Sequence, residues 1–266
     1  MFLLDVFQYE FMNRALVVGF FTAICTAMLG NFVVTARQAV ISDMLAHTAL
    51  VGVGLGIFWQ LSPTYLATCT TVIAALILWW LSRRKDQAPE AISMLLLTGG
   101  LATALLLTHL QKDNYIPLSA YLFGSILTIT ENEVWFFITS SIMIVCVLIF
   151  CWTPLLTYVF DSDYFRTQPY AMVYEILFMI LIALAVGVGL KVIGGLLLGA
   201  LLVIPVLTAQ AFGRSFRQNI LISIFVNLLA VTTGVLASFY LDVPASSAIV
   251  LSLISLYTIS RLKSFI

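Results

Sequence analysis

Residues 41–56 read ISDMLAHTALVGVGLG, a run apolar enough to cross a membrane but for Asp43 and His47. At about 3.6 residues per turn, a spacing of four stacks both side chains on one helix face. A carboxylate and an imidazole side by side offer oxygen and nitrogen donors to a divalent metal. Ionisable groups are costly in hydrocarbon and mark pathways or sites by default. On these two residues alone a second reading stays open: a buried polar pair hydrogen-bonded to neighbouring helices.

The rest of the chain generalises the membrane reading. Of 266 residues, 62% are hydrophobic and 9% charged, and the mean hydropathy is +1.11. A soluble domain of ordinary composition is about 45–50% apolar and about 25% charged. The composition predicts an all-α polytopic membrane protein, with residues 1–266 as one transmembrane domain. The zero net charge says little about partners, and no nucleic acid is expected. Cys25, Cys69, Cys146 and Cys151 all lie in apolar runs without metal-ligand spacing, so they read as small core residues. Asp5, Glu10 and Arg14 near the start do not make the basic leader of a cleavable signal peptide.

Outward from residues 41–56, the apolar runs divide into about nine spans: 15–35, 40–59, 64–81, 91–110, 134–152, 171–190, 192–212, 220–240 and 247–259. A further apolar piece, 118–129, is bounded by Pro117, Glu131 and Glu133. It is too short to span and reads as a re-entrant or interfacial helix. Residues 160–169 read as a polar loop. Basic residues favour the cytoplasmic side. With the C-terminus inside, Arg37, Arg83, Arg84, Lys85, Arg166, Arg214, Arg217, Arg261 and Lys263 are cytoplasmic, which leaves only Arg14, Lys112 and Lys191 outside. The orientation expected is N-terminus out, C-terminus in. Asp43 then lies roughly 9 Å and His47 roughly 15 Å along the helix from Arg37, which brings the histidine near the midplane.

Other features are weighed the same way. Gly52, Gly54 and Gly56 favour close helix packing over a hinge. Glu175 and Lys191 bracket the sixth span, where snorkelling accounts for them. Gly194 and Gly195, beside Lys191, mark a place for a gate. Pro205 predicts a kink in the seventh span, because it lacks an amide donor and clashes with the preceding turn. His109 reads as an interfacial histidine, and Asp161 and Asp163 as solvated or docking charges. No HExxH, GxSxG or Walker A motif is present, so an enzyme is not expected. If ATP drives transport, another polypeptide hydrolyses it, and the basic loop 213–218 is a docking element for that partner.

The chain resembles the permease subunits of the zinc/manganese/iron family of ABC importers over nearly its whole length. The resemblance rests on ISDMLAHTALVGVGLG (41–56), YLFGSILTI (121–129), FDSDYF (160–165), VGLKVIGGLLLGALLVIP (188–205), TAQAFGRSF (208–216) and YLDVPASSAIVL (240–251), in that order. The opening FQYEFMNRAL (7–16) is similar to the zinc-type members. The resemblance implies a permease paired with a second copy or a related permease in a bacterial inner membrane. Cytoplasmic ATP-hydrolysing subunits and an external solute-binding protein complete such a system. It puts Asp43 and His47 on the metal path, with zinc, or else manganese or ferrous iron, as cargo moved by alternating access. No cofactor is held permanently, and ATP binds the partner. The resemblance assigns ATPase contact to about residues 210–218, which include Gln210, Gly213, Arg214, Ser215, Phe216 and Arg217. A secondary transporter driven by an ion gradient, and a membrane enzyme using Asp43 and His47 as acid and base, are the rival readings.

Overall fold

Long apolar segments in a bilayer must satisfy every backbone amide internally, and helices do so. The computed structural model describes residues 10–83, 89–110, 119–124 and 131–264. Every element among them is a helix. Eight are long and apolar enough to cross a membrane: α1 (Glu10–Thr35), α2 (Ala39–Phe58), α3 (Pro63–Ser82), α4 (Pro89–Leu110), α6 (Glu131–Phe150), α9 (Ala171–Ile193), α11 (Phe216–Leu241) and α12 (Ala245–Ser264). A ninth apolar helix, α10 (Gly195–Ala209), has 15 residues. Short helices α5 (Ser119–Phe123), α7 (Trp152–Phe160) and α8 (Ser162–Arg166) complete the set. Eight long helices and one shorter apolar helix agree with about nine spans.

The short piece predicted at 118–129 is described only from 119 to 124; the remainder lies outside the described residues, as do Lys112 and the charged residues Arg84, Lys85 and Asp86. Helix α5 has five residues, about 7.5 Å, and cannot cross. An ion pair fixes the side on which α6 begins. Arg14, in the first turns of α1, donates to Glu131 at the start of α6 at 2.7 Å and to Glu10 at 2.6 Å. Four crossings after α1 begins, α4 ends on that same face, so the segment carrying α5 starts and ends on one side.

Three boundaries differ from the sequence reading. Residues 160–169 are not an open loop: α7 and α8 fill much of that stretch. Asp161 caps α8 by accepting from the Tyr164 amide at 3.0 Å. Helix α6 stops at Phe150 because Pro154, four residues on, has no N–H to return to its carbonyl. In the first turn of α7 that missing donor is tolerated. The sixth and seventh spans meet at Gly194, with φ +90°, rather than near Lys191.

Glu175 and Lys191 are also held by more than snorkelling. Glu175, 10% exposed at its side chain, accepts from Trp79 Nε1 at 3.2 Å and from Arg83 at 3.3 Å. Lys191 donates to Glu133 at the start of α6. Helix α2 runs unbroken through Gly52, Gly54 and Gly56, and a Cβ at Gly52 would sit 2.3 Å from the Leu66 carbonyl. The packing reading of these glycines therefore holds over the hinge.

Candidate metal site

Asp43 and His47 project from the first half of α2, and helical spacing stacks them as expected. His47 Nε2 lies 4.0 Å from Asp43 Oδ1. Their side chains are 20% exposed at His47 and 61% at Asp43, so the carboxylate opens outward from this chain. His47 Nδ1 is buried and has no hydrogen-bond partner among the described residues. At 4.0 Å the two side chains are too far apart to hydrogen-bond to each other.

Both side chains line a cavity of about 380 Å³. Ala39, Ser42 and Ala46 of α2 form one wall; Leu122 and Phe123 of α5, and Gly195, Leu196, Gly199, Ala200 and Val203 of α10, close the rest. Small residues on α10 make this room. A Cβ at Gly199 would meet nothing within 4 Å. At Gly195 it would come to 3.0 Å from the Ala46 side chain, so α10 starts alongside the middle of α2. At about 1.5 Å per residue α10 spans roughly 22 Å, less than the ~30 Å of hydrocarbon.

The break that allows this start is built from two glycines. Gly124, after α5, has φ +63° and Gly194 has φ +90°. They pack backbone to backbone: a Cβ on Gly124 would lie 2.3 Å from the Gly194 nitrogen, and one on Gly194 would lie 2.4 Å from the Phe123 carbonyl carbon. Only glycine combines that φ with that approach. The short helix thus docks on the α9–α10 junction and carries Leu122 and Phe123 to the cavity. Sequence reasoning marked Gly194 and Gly195 as a gate but gave Leu122, Phe123, Gly199 and Val203 no place in the site. The Gly195/Gly199 repeat at helical spacing was the available signal.

Pro205 lies inside α10 as predicted and leaves the Leu201 carbonyl without its helical donor. Asn227 Nδ2 of α11 supplies one, at 3.1 Å, and also donates to Thr26 Oγ1 at 3.1 Å and the Ala23 carbonyl at 3.2 Å. The proline is thereby tied to α1 and α11.

The predicted docking residues lie apart from the cavity, at the opposite end of α10 from Gly195. Gln210 ends α10. Gln210, Arg214, Ser215 and Arg217 are exposed, and Gly213 is half-buried. Ser215 caps α11 by accepting from the Gln218 amide at 3.3 Å, while Gln218 Oε1 accepts from the Arg214 amide at 3.0 Å. Phe216 turns inward, its ring 5.0 Å from Phe32, 5.6 Å from Phe160 and 5.9 Å from Trp152. This aromatic cluster joins the 210–218 loop to α7. His109 is exposed at the end of α4, away from the cavity. Among the described residues no group of three or more His, Cys, Asp or Glu is placed to hold a metal.

The family model of the ABC 3 transport family matches residues 8–264. The chain is similar to the high-affinity zinc uptake system membrane protein ZnuB of Buchnera aphidicola subsp. Acyrthosiphon pisum (strain APS), with 28% identity over 96% of this chain and 98% of that protein. ZnuB of Haemophilus influenzae (strain ATCC 51907 / DSM 11121 / KW20 / Rd) is likewise 28% identical, again over 96% of this chain and 98% of that protein. Among solved structures, PsaBC from Streptococcus pneumoniae in complex with Fab shares the fold. Its TM-score is 0.85 at 23% identity, over 97% of this chain and 93% of that one.

Proposed function

The chain belongs to the ABC 3 transport family, and from that premise we propose that it is the membrane-spanning permease subunit of an ATP-driven importer of divalent metal, with zinc as the cargo. The whole chain acts as one permease domain. The name of the ZnuB relatives supports zinc, and manganese or ferrous iron are the nearest alternatives.

One observation carries the reading: an outward-facing carboxylate beside an imidazole, on a membrane helix, at the wall of a small cavity. A lone carboxylate turned to lipid would be strongly disfavoured. A second copy of the chain covering this face removes the exposure. It also brings a second Asp43–His47 pair, giving four donors, the number a tetrahedral zinc takes. Two donors on one tetrahedral zinc, each about 2.1 Å from it, stand roughly 3.4 Å apart. The 4.0 Å in one chain closes to that separation with a small side-chain movement.

Each residue then has a distinct task. Asp43 offsets the cation's charge where hydration is lost. His47 supplies a neutral nitrogen that releases metal more readily than an all-carboxylate cage. Leu122 and Phe123 bound the cavity on the α5 side, and the Gly124–Gly194 contact holds them there. The cargo enters from the face carrying Arg14 and Lys191 and leaves toward the face carrying Arg83 and Arg166. The positive-inside rule makes the latter face cytoplasmic. There the partner ATPase docks on the 210–218 loop and on α7, to which the Phe216 cluster connects it. Movement of α10 about its break at Gly194 and its proline at Pro205 exposes the pair alternately to each side.

The test is radiolabelled zinc uptake in cells that co-express the chain with its ATPase and binding protein, with unlabelled manganese and iron as competitors. Uptake that needs both Asp43 and His47, and that zinc competes best, supports the proposal. Uptake that survives ATP depletion but collapses with an ionophore would instead make this an ion-coupled transporter. Acidification is expected to slow uptake, because a protonated imidazole has no lone pair for the metal. A rate that stays flat on acidification counts against His47 as a ligand.

A further inference from the structure

A second cavity, about 710 Å³, lies at the other end of the α2–α3–α9 group from the Gly124–Gly194 contact, on the face carrying Arg83 and Arg166, and the transport reading assigns it no ligand. Among the described residues, Arg37, Arg83 and Arg166 line it, together with two carboxylates, Glu90 and Glu175. Glu175 is already paired with Arg83. Among the described residues, neither Arg37 nor Arg166 has an ion-pair partner.

Arg37 is held there against its backbone preference. It has φ +58° in the turn that ends α1, where the Gln38 amide bonds back to the Val33 carbonyl. Glycine or asparagine fits that left-handed cap more readily than arginine. Beside it, Gln38 Nε2 donates to the Tyr158 hydroxyl at 2.7 Å, while Gln38 Oε1 is buried without a partner. Burial raises the Tyr158 phenol above its usual range, so its hydroxyl stays protonated. Ser82 and Ser93 also line the cavity, and Val40, Ile41, Leu78 and Met179 give it an apolar part.

Two guanidiniums without an ion-pair partner among the described residues, an acceptor without a donor, and an apolar part of the wall match an amphiphile with an anionic head. We infer that this cleft binds a phosphate-bearing anion, with the phosphate on Arg37 and Arg166 and a hydroxyl on Gln38 Oε1. Guanidinium forks suit phosphate oxygens, and basic pockets between membrane helices accept anionic headgroups. The source that best satisfies the apolar wall is a phosphatidylglycerol-type lipid. A soluble phosphate compound shares the headgroup chemistry alone. An occupant here would tie the start of α2, the helix carrying Asp43, to α8 and to the end of α3.

The full-length chain, purified in detergent, is offered phosphatidylglycerol or phosphatidylcholine and weighed by native mass spectrometry. Wild type is expected to retain phosphatidylglycerol preferentially. Arg37→Gln with Arg166→Gln should lower that retention roughly tenfold or more, taking about 1 kcal/mol per charge. Arg166→Gln alone, at an exposed position of α8, should lower it roughly fivefold. Arg214→Gln with Arg217→Gln, a basic pair outside the cleft, should leave it unchanged. Displacement of the lipid by inorganic phosphate would assign the site to free phosphate, and resistance to displacement would assign it to lipid; both uphold the anion site. Equal loss in the two double variants, or no preference in wild type, would overturn it. Expulsion of the lipid on adding the ATPase partner would also overturn it, since the cleft would then belong to that protein.

Discussion

Two sets of polar side chains sit inside this membrane protein, and they are treated in opposite ways. On α11, Asn227 is fully buried, and its amide nitrogen reaches acceptors on α1 and α10. Nearby, Asn31 of α1 donates to the Ala27 carbonyl at 2.8 Å and to Ser223 Oγ at 3.1 Å. On α2, Asp43 and His47 share no hydrogen bond, and the carboxylate is 61% exposed. Without water as a competitor, a polar group bonded inside the protein holds helices together. The asparagines belong to the fold, and the proposed function gives the α2 pair to the cargo.

That contrast can be broken by experiment. The largest effect is expected at the open pair: Asp43→Ala or His47→Ala should cut zinc uptake at least roughly 100-fold, since even outer-shell changes at metal sites cost about 10–100-fold. Unfolding measured in detergent should barely move. If uptake stays near normal at equal membrane abundance, the pair is structural and the contrast fails.

Next comes Gly194→Ala. It places a Cβ 2.4 Å from the Phe123 carbonyl carbon and strains a residue at φ +90°. A loss of about 3 kcal/mol in stability is expected, read as reduced folded protein and an earlier unfolding midpoint.

Asn227→Leu sharpens the comparison from the other side. It leaves the Leu201 carbonyl without a donor beside Pro205 and should cost about 1–2 kcal/mol. Uptake per folded molecule should stay within about twofold. A specific collapse of transport without a stability change would move Asn227 from the fold to the pathway.

The smallest effect belongs to Ser215→Ala, which removes the α11 cap at a cost of about 1 kcal/mol. Co-purification of the ATPase partner should survive it. The double change Arg214→Glu with Arg217→Glu should weaken that co-purification, because exposed charge steers docking. The reverse outcome would mean that the loop acts through its shape.

Much of this architecture was legible in the chain itself. Hydropathy set the class and about nine spans, because a bilayer accepts backbone only when its hydrogen bonds are satisfied locally. Spacing alone stacked Asp43 on His47, since an α-helix fixes which residues share a face. Pro205 inside α10 followed from the same local rules.

What the sequence could not reveal depended on who sits opposite whom. Gly124 and Gly194 are far apart in the chain, and their shared need for positive φ arises only because two backbones touch. The parts Asn227 and Glu175 play in the scaffold turned on acceptors and donors supplied by distant helices. Leu122 and Phe123 became cavity walls because α5 docks on the α9–α10 break. Local rules govern a helix and its faces; partnerships between helices, and therefore which polar groups are left open, are set by packing in three dimensions.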